Sequence, residues 1–226
     1  MRIRNGLFVV AAATLALAGS IAIAQGERSD LDGVWTLTGT RSPDIALNDA
    51  GATYRADYDF MTDDPHMQCI PASVSRTMLT PSPLMEIRQH EDHIEFNHEM
   101  MDVKRRIPLD AELLAEDAPY STDEHPHLGR SVARYEGENL VIESADIAEG
   151  IFMTLQWVGY PQSNLMMTTE RYIPNGDSMQ TRITHFDPVY YQTPFTIIYD
   201  YVRTDAPLLE WGCVPEKSCV DPRLCG

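Results

Sequence analysis

Basic residues are scarce in this sequence of 226 residues, which holds 17 Lys and Arg against 34 Asp and Glu and has a formal net charge of −17 at pH 7. No long basic run occurs anywhere in it. Nucleic-acid backbones and anionic membrane surfaces are bound by clustered positive charge. We therefore expect neither nucleic acid nor a membrane as a partner.

Motifs of the common cofactor and hydrolase classes are missing as well. The sequence has no phosphate-binding loop, no dinucleotide fingerprint, no EF-hand loop and no Gly-x-Ser-x-Gly around Ser131. It also lacks Cys-x-x-Cys, which argues against a thiolate zinc site. We predict a protein without a cofactor and without a metal, although the close pair His125 and His127 leaves a metal site open there.

Long apolar runs are confined to the N-terminus. Met1–Arg4 carries two positive charges, residues 7–18 are apolar, and Ala22-Ile-Ala24 fits the small-x-small cleavage rule. We predict a signal peptide at residues 1–24 and export to the periplasm or the medium. The alternative is an uncleaved anchor, but the apolar run is shorter than the roughly 20 residues that span a bilayer.

The four cysteines, an even number, fit two disulfides in an oxidising compartment. Four cysteines allow three pairings. Because Cys219 and Cys225 lie in a short tail with Pro222 between them, we favour a local Cys219–Cys225 bond and a long-range Cys69–Cys213 bond.

Short alternating segments dominate the sequence, whereas helical periodicity is weak. A first strand starts after Gly33, and one helical turn is predicted near Asn48–Asp57. The other predicted strands are Val74–Leu79, Leu84–His90, His93–Glu99, Met101–Ile107, Ser131–Glu136, Asn139–Ser144, Ile151–Val158, Leu165–Ile173, Ser178–Phe186 and Phe195–Arg203. This pattern predicts an all-β protein in which about ten short strands form one antiparallel β-barrel or sandwich.

The predicted organisation has four parts. A signal peptide at residues 1–24 precedes a first strand and long loop at residues 25–67. The barrel body covers residues 68–212, and a disulfide-tied tail covers residues 213–226.

Two resemblances point to the same architecture. Gly33-Val-Trp35 is similar to the Gly-x-Trp that opens the first strand of lipocalins and other calycin barrels. From about residue 67 to residue 215, the chain resembles a large family of exported bacterial proteins, mostly of unassigned function. The resemblance is carried by Cys69-Ile-Pro71, Pro83–Gln89, Lys104–Ile107, Gly129–Glu143, Thr169–Tyr172 and Asp187-Pro188.

That family shares a segment of the form Gly-His-Ser-x-Gly-x-Trp-Glu-Gly-Asp-Thr-Leu-Val-Val. Arg130 and Tyr135 stand here in place of its His and Trp. The resemblance implies a lipocalin- or avidin-like barrel, and with it we predict one antiparallel β-barrel of about eight to ten strands. The Cys that is usual near the C-terminal end of the family supports Cys213 as the partner of Cys69.

Mixed strand faces indicate where a site would lie. The strand from Leu165 to Ile173 has no wholly polar face, which favours a barrel that encloses a ligand cavity over one packed solid. Acid–base chemistry in such a cavity would use His, Glu and Arg, and we assign His98, Arg106, Glu170 and His185 as catalytic candidates, with Arg105 and Arg171 as further members of the same set. The predicted ligand-binding residues are Arg88, His90, Trp157, Met167, Arg171, Tyr199 and Tyr201.

Three functions remain open at this point. The first is an exported barrel that binds a small apolar or aromatic molecule in its lumen. The second is a cofactor-free lyase, isomerase or hydrolase in the same cavity, and the third is an envelope scaffold with a solid barrel. The sequence does not determine the ligand or the oligomeric state.

Overall fold

A computed structural model describes residues 28–79, 84–110, 126–155 and 157–215. Its strands are β1 Gly33–Arg41, β2 Leu84–Gln89, β3 His93–His98, β4 Lys104–Pro108, β5 Arg130–Glu136, β6 Asn139–Ala145, β7 Gly150–Leu155, β8 Val158–Gln162, β9 Met167–Asn175, β10 Ser178–Phe186 and β11 Phe195–Thr204. The α-helices are α1 Asp49–Asp57, α2 Phe60–Asp63 and α3 Val74–Thr77, and 3-10 helices cover Pro65–Gln68, Met100–Asp102 and Pro126–Leu128.

Nine strands form one antiparallel sheet in the order β4-β3-β2-β1-β11-β10-β9-β6-β5. β7 and β8 make a separate hairpin, inserted between β6 and β9. The two edge strands approach each other where Leu109 bridges Ala133, and the Asp110 N–H donates to the Ala133 carbonyl at 2.8 Å. The sheet is therefore a nearly closed barrel, and the predicted antiparallel barrel of eight to ten strands is confirmed.

The period-two pattern of the sequence determines which side chains enter the barrel. On β11 the alternating residues Phe195, Ile197, Tyr199 and Tyr201 are buried, whereas Val202 is exposed. Burying a large apolar side chain stabilises the fold by roughly 1.5–3 kcal/mol. A register slip of one residue would expose the whole buried set, so this burial holds the register of the barrel.

The predicted strand Val74–Leu79 is wrong, because this segment begins with the helix α3. The Ser73 side chain accepts a hydrogen bond from the Arg76 N–H at 3.1 Å, which caps the helix at its start. The Tyr199 hydroxyl donates to the Ser75 carbonyl at 3.0 Å and ties α3 to β11. Capping and these tertiary contacts outweigh the strand preference of Val74.

Two other segments differ from their predicted boundaries. The strand expected at Met101–Ile107 begins only at Lys104, because Met101 has a positive φ of 59° inside a 3-10 turn. The strand expected at Ile151–Val158 ends at Leu155, and a further strand, β8, follows it. β8 contains Pro161. Because proline is unusual within a strand, residue preferences do not predict a strand there.

Trp35 anchors β1 in the centre of the sheet. The indole is fully buried, and its Nε1–H donates to the Leu31 carbonyl at 2.9 Å. The Arg203 guanidinium lies 4.5 Å above the indole ring, which is cation–π geometry. Gly33, two residues earlier, has a φ of +125°, a conformation that residues with a Cβ rarely adopt.

The disulfide Cys69–Cys213 is present, as predicted, and joins residues 144 positions apart in sequence. It links the chain after the 3-10 helix Pro65–Gln68 to the segment that follows β11. The predicted signal peptide, the Cys219–Cys225 bond and His125 lie outside the described residues. Within the described ranges, no helix is long and apolar enough to cross a membrane.

Replacing both Cys69 and Cys213 with serine should lower the free energy of unfolding by about 4–5 kcal/mol, because the long closed loop restricts the unfolded chain. Urea denaturation of the oxidised wild type and the double variant measures this difference. A Cys219→Ser, Cys225→Ser variant removes the predicted local bond and should lose less stability, because that bond would close a much shorter loop. Coincident unfolding curves for the wild type and the Cys69/Cys213 variant would contradict the prediction.

Candidate binding site in the barrel interior

Polar side chains gather on the inner face of the barrel, among the apolar core. Residues two apart on a strand share a face, so each polar residue lies on the same face as buried apolar neighbours. On β3, for example, His98 shares its inward face with Ile94 and Phe96. We call this group the interior polar set. It comprises His98, Arg105, Ser131, Ser144, Thr168, Glu170, Tyr172, Thr181, His185 and Tyr201, all of them buried.

An ion pair between β4 and β9 is the strongest interaction in the interior polar set. Arg105 donates to both oxygens of the Glu170 carboxylate, from Nη2 to Oε1 at 2.7 Å and from Nη1 to Oε2 at 3.1 Å. Both side chains are completely buried. The Tyr172 hydroxyl adds a third hydrogen bond to Glu170 Oε2 at 2.7 Å, so both carboxylate oxygens are satisfied.

The pair keeps Arg105 charged despite its burial. Burial alone would lower the pKa of Arg105, but the adjacent Glu170 carboxylate outweighs burial and raises that pKa above its usual value. Burial, together with the same carboxylate, raises the pKa of Tyr172 well above its usual value. The site therefore contains one ion pair with no net charge and one neutral phenol.

A row of small polar residues crosses four adjacent strands beside the ion pair. Ser131 lies opposite Ser144, Ser144 opposite Thr168, and Thr168 opposite His185 in the strand registers. The two serine hydroxyls are 2.7 Å apart, and Arg105 Nη2 donates to Ser131 Oγ at 3.3 Å. The row thus joins the ion pair to the end of β10.

His185 is a buried neutral histidine at the end of this row. Its Nε2 is 2.7 Å from Ser75 Oγ of α3, and its ring stacks on Phe195 with centroids 4.7 Å apart. Burial lowers the pKa of His185 to about 3, which keeps the ring uncharged at neutral pH.

His98 on β3 is neutral for a similar reason. Burial, with the nearby positive charge of Arg105, lowers the pKa of His98 to about 3. Its ring is nearly parallel to that of Phe96, with centroids 6.2 Å apart. The interior of the barrel therefore holds two neutral imidazoles that can donate or accept hydrogen bonds.

Several polar atoms of this set are buried and have no hydrogen-bond partner within the described residues. They are His98 Nε2, Arg105 Nε, Thr168 Oγ1, Thr181 Oγ1 and Tyr201 Oη. Leaving a buried donor or acceptor unpaired costs about 1–3 kcal/mol, and buried polar groups in proteins are nearly always paired. This concentration on one inner surface marks a place where a bound molecule or water would complete the hydrogen bonds.

The structure brings six of the sequence-predicted residues into the interior: His98, Arg105, Glu170, His185, Tyr199 and Tyr201. It places the other six on the outer surface. Arg88 pairs with Glu86, Arg171 with Glu136, and Arg106 approaches Asp92, while Trp157, Met167 and His90 are exposed or partly exposed. For the residues within strands the cause is strand alternation, since Arg106, for example, follows the inward Arg105 and precedes the inward Ile107. His90 and Trp157 lie outside the strands.

The sequence held a usable signal for the inward arginine. Ile107 is the apolar residue of the run Lys104–Ile107, and residues two apart share a strand face, so Arg105 belongs on the inner side. Ser75 carried no comparable signal, because its helix was predicted as a strand. The row through Thr168 could be found only from the strand registers.

The described residues offer one side-chain group with metal-ligand geometry, and it lies outside the barrel. His90, His93 and Glu95 place one ligand atom each within 4.8 Å of one another. The interior polar set instead presents imidazoles and hydroxyls beside a carboxylate already engaged by Arg105 and Tyr172.

Comparison with known proteins gives little. No family model matches the chain, and no curated protein matches it. The similarity to a family of exported bacterial proteins stays a prediction. Among solved structures, apo lipid binding protein 8 of Caenorhabditis elegans is similar at 8% identity with a TM-score of 0.37, covering 78% of this chain and 99% of that one.

Changing Glu170 to Gln should lower the free energy of unfolding by about 3–5 kcal/mol, because it leaves the buried Arg105 charge uncompensated. Adding Arg105→Met to Glu170→Gln should restore most of this loss, since the amide oxygen can still accept from Tyr172. Urea denaturation measures the three stabilities. A double variant no more stable than Glu170→Gln alone would refute this account of the pair.

Stability should fall as the pH drops from about 6.5. Both buried histidines have a pKa near 3 in the folded protein and near 6.5 when unfolded, so the unfolded state binds more protons between these values. Each histidine should cost roughly 2 kcal/mol at pH 5. Urea midpoints between pH 7.5 and 5 test this, above the range where carboxylates titrate. His98→Gln should reduce the slope by about half, and an unchanged slope would contradict the assignment.

Proposed function

We propose that the barrel binds a small uncharged molecule, largely apolar or aromatic, that carries hydrogen-bonding groups. The observation that supports this is the set of buried polar atoms without protein partners, which includes Thr168 Oγ1 and Tyr201 Oη. A ligand that paired with them would recover the free energy that their desolvation costs. A barrel evolved only as a solid core would gain nothing from these hydroxyls.

The electrostatics of the interior favour a neutral ligand. The charge of Arg105 is balanced by Glu170, and the neutral His98 and His185 add none. A charged ligand would lose its hydration without meeting a free opposite charge, which is costly in a buried site. The aromatic rings that line the same interior, such as Phe96, Tyr172 and Phe195, suit apolar or aromatic surface.

We also propose that the protein acts after export. The predicted signal peptide at residues 1–24 and the Cys69–Cys213 disulfide support this, because disulfides persist in oxidising compartments. A carrier or receptor for a small molecule in the periplasm or the medium follows from the two proposals together.

Native mass spectrometry of the untagged protein, purified after export, tests the binding function. We expect a non-covalent adduct that is lost on denaturation. Thr168→Val and Tyr201→Phe should reduce the adduct at least severalfold and stabilise the unliganded protein by about 1–3 kcal/mol, since each removes an unpaired buried hydroxyl.

The matched control is Thr169→Val, the same change one residue along β9 on the opposite face. It should leave both adduct and stability nearly unchanged. A protein without an adduct, in which Thr168→Val is less stable than the wild type, would overturn the proposal, because the hydroxyl would then have a partner that contributes to the fold.

A second candidate function is hydrolysis through Ser75, and the 2.7 Å contact between Ser75 Oγ and His185 Nε2 favours it. A serine hydroxyl within hydrogen-bond reach of a neutral imidazole is the core of many acyl-transfer sites. Covalent labelling by a fluorophosphonate, lost in Ser75→Ala but kept in Ser131→Ala, would establish a reactive serine. An unlabelled wild type would exclude this candidate.

A further inference from the structure

The outer face of the β2–β3 hairpin brings two histidines and a carboxylate together. His93 and Glu95 point outward on β3 because Ile94 and Phe96 point inward, and His90 follows the end of β2. The two imidazole rings stack with centroids 4.2 Å apart and planes 6° from parallel. Both present Nε2 to the same carboxylate, His90 at 3.3 Å from Oε2 and His93 at 3.3 Å from Oε1 of Glu95.

His93 lies between two carboxylates. Its Nδ1 is 2.5 Å from Asp92 Oδ1, and its Nε2 faces Glu95. A neutral imidazole has a single N–H, so it can donate to only one of them. If Nδ1 donates to Asp92, the Nε2 lone pair is directed at the oxygens of Glu95, and a cation between them would make this contact attractive.

Arg106, on the neighbouring strand β4, occupies the far side of His93. Its Nη2 is 3.1 Å from His93 Nδ1 and 3.7 Å from Asp92 Oδ2, and because a guanidinium only donates, Nδ1 accepts from Arg106 in this arrangement. For Nδ1–H to donate to Asp92 instead, Arg106 has to shift toward the Asp92 oxygens. In either position Arg106 approaches His93 from the Nδ1 side. It therefore leaves the Nε2 side of the ring, where His90 and Glu95 lie, clear.

We propose that His90, His93 and Glu95 bind a divalent ion of the zinc class, with Asp92 orienting His93. Two imidazoles and one carboxylate are a ligand set that zinc uses, and a carboxylate on the second ring nitrogen is the usual outer partner of such a histidine. Ligand atoms about 2.1 Å from a tetrahedral zinc lie about 3.4 Å apart, close to the 3.3 Å between each Nε2 and its oxygen of Glu95. Because the two rings are stacked and nearly parallel, the His90 ring has to turn out of the stack before both Nε2 lone pairs point at one ion.

The partial burial of the group suits an accessible site. The His93 side chain is 11% exposed, whereas His90 is 41% and Glu95 35% exposed. His93 is thus held in place while the other two ligands can adjust their rings and oxygens. A fourth position remains for water or a ligand from solution, and the site is separate from the barrel interior.

Isothermal titration of the untagged wild-type protein with Zn²⁺ at pH 7.5 tests the proposal. We expect one saturable ion per chain from this hairpin. His90→Ala and Glu95→Gln should each weaken binding by more than about tenfold, and Asp92→Asn by about 10–100-fold. Glu91→Gln removes one negative charge from the same exposed turn without removing a ligand, and should change the affinity less than twofold.

Co²⁺ as a spectroscopic probe supplies a second readout. Its visible absorption should show a low-coordinate site in the wild type and in Glu91→Gln, and should be lost in Glu95→Gln. Absence of saturable Zn²⁺ binding would overturn the proposal. Equal weakening by Glu91→Gln and Glu95→Gln would also overturn it, since the ion would then respond to general charge and not to a ligand.

Discussion

The ion pair between Arg105 and Glu170 is the interaction on which the barrel interior depends. It joins β4, one edge of the sheet, to β9, which lies two strands inside the opposite edge. The backbone of the two edges meets at the Leu109–Ala133 bridge, so the buried pair adds a side-chain link across the same seam. The buried ion pair therefore helps to close the barrel, and closure of the barrel in turn keeps the ion pair away from water.

Alternating sequence patterns were enough to predict the antiparallel strands, and the resemblance to calycin barrels selected a barrel over a sandwich. The strands from Leu84 onward differ from prediction mostly at their ends, because period-two burial and tight turns are local properties that short segments reveal. The disulfide followed from the short cysteine tail and from family resemblance. α3 was missed because its helical form depends on the cap of Ser73 and the contact with Tyr199, which are not local hydrophobic patterns.

The interior site was harder to predict because it depends on register. Glu170 and His98 could be selected as residue types, but their partners come from strands far apart in sequence, such as the 65 positions between Arg105 and Glu170. Selecting Arg105 in place of Arg106 required only the inward face of β4, and Ile107 indicated that face. The polar row from Ser131 to His185 needs three strand pairings at once, which no single segment encodes.

β3 shows how the face of a strand decides the chemistry of a side chain. His98 points inward, where burial and the charge of Arg105 keep its imidazole neutral, and its Nε2 lacks a partner among the described residues. His93, five residues earlier and therefore on the other face, has carboxylates at both ring nitrogens. One strand thus supplies a neutral hydrogen-bonding group to the interior and a cation-attracting group to the surface. The two proposed sites differ chemically because residues an odd number of positions apart on a strand point to opposite faces of the sheet.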